Sequence, residues 1–143
     1  MGYCIELIDS NFKMKKENFD KAFKDLKSLF VVENMTVCDT VYGKNYYHFR
    51  WVDNEEAIES ININELMEAI RFPVEFNRNG DICDIDFHGE KLGDDEIFLS
   101  ALAPYVEDGS YLEFEGEDGY SWRWSFKNGK LEEETIKNSD IYY

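Results

Sequence analysis

Cysteine is scarce in this chain of 143 residues: Cys4, Cys38 and Cys83 are an odd and widely spaced set. Such a set suits neither a disulfide framework nor a cysteine-rich zinc site, so each is expected to act as a small core residue. Histidine is scarcer. His48 falls in an aromatic run and His88 at a strand end, positions that suit structural or surface histidines better than a catalytic base. Basic residues are also few, 15 Lys and Arg against 31 Asp and Glu, giving a formal net charge of −16. A chain so charged repels polyphosphate and has no basic stripe to release counterions, which argues against direct binding to nucleic acid or anionic membranes.

No run of about 18 apolar residues occurs, so no membrane-spanning helix is expected. The opening Met1-Gly2-Tyr3-Cys4-Ile5-Glu6 lacks the basic and apolar regions of a secretory signal, and a reducing cytoplasm is the expected location. There is no P-loop, no Gly-x-Ser-x-Gly and no His-Glu-x-x-His, and Gly116-Glu117-Asp118-Gly119 is too short for an EF-hand. Paired carboxylates alone could serve a glycosidase or a divalent cation, but no companion signature accompanies them. The reading is therefore not an enzyme, with no catalytic residue, no metal and no cofactor. Without repeats, low-complexity tracts or Pro/Gly-rich linkers, residues 1–143 read as a single domain.

What is present is apolar and aromatic: 43% hydrophobic residues, including eleven Phe, nine Tyr and three Trp. That is too apolar for a disordered acidic chain. The acid is uneven. Met1 to Arg50 holds eight basic and seven acidic residues, whereas the rest holds seven basic and 24 acidic ones. Charge at that density destabilises a compact state by self-repulsion, and attraction to a basic surface is the functional benefit that would offset it.

Alternation predicts an opening strand over Tyr3–Ile8 with Tyr3, Ile5 and Leu7 on one face, and Phe19, Phe23, Leu26 and Phe30 predict a helix over Lys16–Phe30 with a solvated lysine face. Tyr46–Trp51 has the composition of a strand, and Asn62 or Asn64 can cap a helix through Leu66, Met67 and Ile70 that ends before Phe72-Pro73. Asn79-Gly80 predicts a hairpin between Val74–Phe76 and Ile82–Phe87, and Asp94 a capped helix closed by Pro104. Tyr111–Glu115, Tyr120–Phe126 and Leu131–Ile136 read as a three-stranded meander, with Tyr120, Trp122, Trp124 and Phe126 sharing a core face. The expected fold is α+β, with about three helices on a mostly antiparallel sheet that ends in the meander.

Acids recur at two-residue spacing: Asp84 with Asp86, Glu113 with Glu115, and Glu132 with Glu134, beside Glu117 and Asp118 in the acidic turn. Residues two apart on a strand share a face about 6.6 to 7 Å apart, so a carboxylate-studded face follows if these strands are neighbours. Its bland reading is a solvated face whose acids discourage edge pairing, with Arg123 relieving some repulsion. The functional reading is imitation of a phosphate backbone, matched by the Arg and Lys set of a nucleic-acid-binding protein. These eight acids are the candidate partner-binding residues. An alternative is a sponge whose Tyr46, Tyr47, Trp51, Tyr105, Tyr111 and Tyr120 line a pocket for a nucleotide or other small ligand.

Met-Gly-Tyr-x-Ile-Glu-Leu-x-Asp-Ser-Asn-Phe at the start, Gly89 to Glu96, Ala101 to Ser110 and Gly116 to Trp124 together resemble a set of small acidic proteins of bacteria and their phages. The resemblance covers most of the chain and carries over no functional residue. It implies a phage or bacterial setting, and by analogy a small acidic protein without catalytic motifs in that setting is expected to act against host defence, as an anti-CRISPR inhibitor does, or as immunity against a toxin. The expected partner is a basic protein such as a nucleic-acid-processing enzyme or CRISPR effector.

Overall fold

The computed structural model describes residues 2–137. Twelve elements follow in chain order: β1 (Ile5–Asn11), α1 (Phe19–Lys27), β2 (Val37–Val41), β3 (Lys44–His48), α2 (Asn54–Glu59), α3 (Ile63–Ala69), β4 (Val74–Phe76), β5 (Ile82–Ile85), α4 (Asp95–Leu102), β6 (Tyr111–Gly116), β7 (Ser121–Lys127) and β8 (Lys130–Lys137). The fold is α+β, and all the strand pairs among the described residues are antiparallel. The main sheet has the order β1-β6-β7-β8, so the first strand returns beside the sixth, while β2-β3 and β4-β5 are separate two-stranded ribbons.

Alternation explains the main sheet. In β6 and β7, Leu112, Phe114, Trp122, Trp124 and Phe126 are buried and join the core, while Glu113, Glu115, Arg123 and Ser125 between them face the other way. Apolar residues of the helices close the same core: Ala22 and Leu26 of α1, Leu66 and Met67 of α3, and Phe98, Leu99 and Leu102 of α4. Aromatic pairs knit it together. Phe30 stacks on Phe98 at 5.7 Å, Phe49 meets both edge-on, and Phe114 stacks on Trp122 at 5.6 Å.

Among the described residues four α-helices form, in keeping with the expected α+β class. The additional one, α2, is six residues long, three of them Glu, with only Ala57 buried, too short to show a periodic apolar stripe. Several expectations need correction. The aromatic strand runs from Lys44 to His48, because Phe49 turns into the core and Trp51 adopts a left-handed φ of 63°. Its partner β2 escapes sequence reading since four of its five residues are exposed and no alternation results. α1 stops at Lys27, although Phe30 still reaches the core from the following turn. Asp94 precedes α4 but does not cap it with its side chain. Its backbone is not extended, and its carboxylate instead accepts from Arg50 N and Thr36 Oγ1, both at 2.7 Å. Finally, none of the cysteines is buried: Cys38 is exposed, and Cys4 and Cys83 are half-buried.

Turn chemistry matches the residues present. Asn62 caps α3 by accepting from Glu65 N at 2.9 Å. Asn128 and Gly129, at φ of 53° and 74°, join β7 to β8 in the left-handed region that Asn and Gly tolerate.

Candidate functional site

The outward face of the main sheet is set by register. Glu6 of β1 lies opposite Glu115 of β6, which lies opposite Ser121. The next row crosses all four strands as Asp9, Glu113, Arg123 and Glu134, and the third as Asn11, Tyr111, Ser125 and Glu132. Neighbouring strands stand about 4.8 Å apart, so the acids form a two-dimensional array rather than a line. Lys127 and Lys130 close the hairpin end of the face. Glu6, Asp9, Glu132 and Glu134 are exposed, whereas Glu113 and Glu115 are half-buried.

Arg123 organises the centre. Its Nε donates to Glu113 Oε1 at 2.8 Å, a second nitrogen donates to the same oxygen, and the guanidinium sits 4.3 Å from the centroid of the Tyr111 ring. The bond to Glu113 pushes the guanidinium further above its already high range, so the charge is permanent. Tyr111 in turn donates to Asp9 at 3.0 Å, and that bond raises the phenol. One cation thus orders two acids and a ring. Glu115, Glu132, Glu134 and Glu6 receive no comparable partner from it.

The fold brings four of the eight sequence-derived candidates onto this face: Glu113, Glu115, Glu132 and Glu134. Glu117 and Asp118 sit in the β6–β7 turn, where Glu117 accepts from Cys4 N at 3.0 Å and Asp118 accepts from the Tyr3 hydroxyl and from Tyr120 N. The Tyr3 hydroxyl bond lowers the Asp118 carboxyl, while burial first and Asp118 second hold the Tyr3 phenol well above its usual range. These two acids staple the N-terminal segment to the turn. Asp84 and Asp86 are elsewhere, in and just beyond the β4-β5 ribbon: Asp84 accepts from Ser10 Oγ at 3.1 Å, and Asp86 pairs with His88 at 3.3 Å.

No family model, curated protein or solved structure matches the chain. The site's own geometry therefore carries the functional argument.

Sequence reasoning missed Glu6 and Asp9, because the pairing of β1 with β6 joins segments far apart in the chain and no local pattern announces it. It also missed a second acidic surface, where Asp53, Glu55, Glu56, Glu59 and Glu65 of the α2–α3 region line an open cleft of about 490 Å³. The composition did carry that signal, since no Lys or Arg occurs between Arg50 and Arg71. Among the described residues, no three His, Cys, Asp or Glu side chains converge as a metal site would require.

A different cleft opens on the core side of the sheet. Tyr3, Leu92, Gly93, Glu96, Asp118, Tyr120, Trp122, Trp124 and Glu133 enclose about 320 Å³. It exists because Glu133 and Thr135 of β8 lie opposite Trp124 and Trp122 on the inner face, at the sheet edge. Of the six aromatics proposed for a ligand pocket, only Tyr120 lines this cleft; Trp51 borders another with Arg71 and Lys91, and Tyr111 belongs to the outward face.

Proposed function

We propose that this protein is a non-enzymatic acidic inhibitor that occupies the basic nucleic-acid-binding surface of a partner protein. The observation that carries the reading is the outward sheet face, where Glu6, Asp9, Glu113, Glu115, Glu132 and Glu134 share one surface around Arg123. Carboxylates stand on adjacent strands, about 4.8 Å apart, only between β1 and β6, while those of β8 lie beyond the Arg123 strand; along each strand they are about 6.6 to 7 Å apart, which makes an anionic array around one cation. A nucleic-acid strand offers one charge per about 3.4 Å, so cations spaced for phosphates can meet several carboxylates at once. The sheet fixes the backbone positions of these acids before binding, which lowers the ordering cost, and opposite charge speeds the encounter.

The resemblance to small acidic phage and bacterial proteins supports an anti-defence setting, with a nuclease or CRISPR effector as the partner. A toxin-immunity role would use the same chemistry against a secreted basic toxin. The nucleotide-sponge reading has less support, because its aromatics are divided among separate surfaces and the cleft that Tyr120 lines is bordered by acids that repel phosphate.

The test is capture from a bacterial lysate by immobilised protein, in parallel with the variant E113Q/E115Q/E132Q/E134Q. The expected outcome is a nucleic-acid-binding protein retained by the wild type and depleted at least fivefold on the variant. Equal retention by both proteins would remove the sheet face from the account.

A further inference from the structure

The cleft between the inner face of β7–β8 and the start of α4 has a composition unlike that of the outward face. Four aromatic side chains form its walls: Tyr120 stacks on Trp122 with centroids 5.7 Å apart, Trp124 meets Trp122 edge-on at 5.8 Å, and Tyr3 closes the N-terminal side. Three carboxylates border it, Glu96, Asp118 and Glu133, and among the described residues no Lys or Arg lines it. At about 320 Å³ it lies at the lower end of the range for small-ligand sites.

The walls are held in place. Trp124 Nε1 donates to Glu133 Oε1 at 2.7 Å, Tyr120 and Thr135 hydroxyls bond at 2.9 Å, and Asp118 is fixed by the Tyr3 hydroxyl and Tyr120 N. Tyr3 itself lies against Gly116, where a Cβ would fall 1.6 Å from its hydroxyl oxygen, so glycine at that position lets the ring close the cleft. Aromatic faces present negative quadrupoles and carboxylates present full charges, which together favour a cation. A phosphate or carboxylate ligand meets repulsion from all sides. A bare metal ion is also poorly served, since these acids do not converge as a metal site would require.

We infer that this cleft is a binding site for an organic cation, an alkylammonium or guanidinium group whose aliphatic stem packs on Tyr120, Trp122 and Trp124 while its charge is shared among Glu96, Asp118 and Glu133. The group comes either from a free small amine or from a Lys or Arg side chain of a bound protein. The site stands independently of the outward face, which lies on the opposite side of the same strands.

Tryptophan fluorescence tests it, with Trp51→Phe as background so that only Trp122 and Trp124 report. The probes are n-butylammonium and n-butylguanidinium chlorides, with n-butanol as neutral isostere and butyl phosphate as anion. Saturable millimolar binding of both cations, and none of butanol or butyl phosphate, is expected. Glu133→Gln, which can still accept from Trp124, and Glu96→Gln, at an exposed position of the cleft rim, should each weaken cation binding at least threefold without altering the thermal melt. A blocked Ala-Lys-Ala peptide that binds at least as tightly as butylammonium identifies a protein side chain as the source, and a peptide that fails to bind while butylammonium does identifies a free amine. Butanol binding as tightly as butylammonium, or both carboxamide variants titrating like the background protein, overturns the proposal. Because no sheet-face residue is altered, failure here leaves the inhibitor reading intact.

Discussion

Arg71 ties three segments together from a left-handed backbone position, φ 78°. Its Nη2 contacts both oxygens of Asp95, at 2.8 and 3.0 Å, its Nη1 donates to Lys91 O at 2.8 Å, and its guanidinium lies 4.9 Å from the Phe87 ring centroid. Burial pushes the Asp95 carboxyl up, against the pull of Arg71 and of the Gly93 amide. Replacing Asp95 with Ala leaves a buried guanidinium without its counter-charge and should cost about 3 to 5 kcal/mol, read as a lower urea midpoint; a cost below about 1 kcal/mol would show that the pair is not needed. His48 is a milder case. Its Nδ1 lies 3.1 Å from Phe49 O and its Nε2 2.8 Å from Asp39, contacts that raise its pKa above 6.5. A raised folded value means that protonation favours the fold, so this contribution is complete below about pH 6.5 and is lost as pH rises through the folded value. An NMR titration should place the His48 midpoint above 6.5 and show it falling in Asp39→Asn. A midpoint at or below 6.5 in the wild type would contradict the pairing.

At the scale of elements, β7 joins both candidate surfaces. Its alternation sends Trp122, Trp124 and Phe126 inward and Arg123 outward, so the strand that anchors the core also centres the acidic face. Truncating Trp122 or Trp124 to Ala should cost about 3 to 5 kcal/mol, a large share of the roughly 5 to 15 kcal/mol that stabilises a domain. Thermal melts of the two variants check it: melting near wild type would show that neither ring carries a large share of the core's stability. This division of faces was readable in the sequence because period-two patterning survives wherever one face of a strand is buried. The same logic explains what was unreadable. Strand β2 is exposed at four of its five residues and α2 buries one residue, so neither leaves a pattern, whereas β3 was legible from its aromatic composition and not from alternation. Glu113, Glu115, Glu132 and Glu134 could be grouped from local strand spacing, but Glu6 and Asp9 join them only through β1-β6 pairing. Asp84 and Asp86 share the spacing without sharing the sheet, since spacing fixes a face and not the sheet to which that face belongs.

For the whole molecule, charge and architecture point the same way. A net charge of −16 is carried by a fold whose main sheet leaves one face to solvent and whose α2–α3 region adds a second acidic surface. Exposed charges are screened over about 8 Å at physiological ionic strength, so an electrostatic complex should weaken steeply with salt. The central claim is that the outward face stands in for nucleic acid. The most direct measurement is competition: a fluorescent DNA or RNA duplex bound to the captured partner, titrated with the wild type and with E113Q/E115Q/E132Q/E134Q while anisotropy is followed. The account predicts full displacement by the wild type, weakening as salt rises from about 50 to 200 mM, and a midpoint at least fivefold higher for the variant. A partner that holds its duplex and this protein together, or a variant that displaces as well as the wild type, would contradict it.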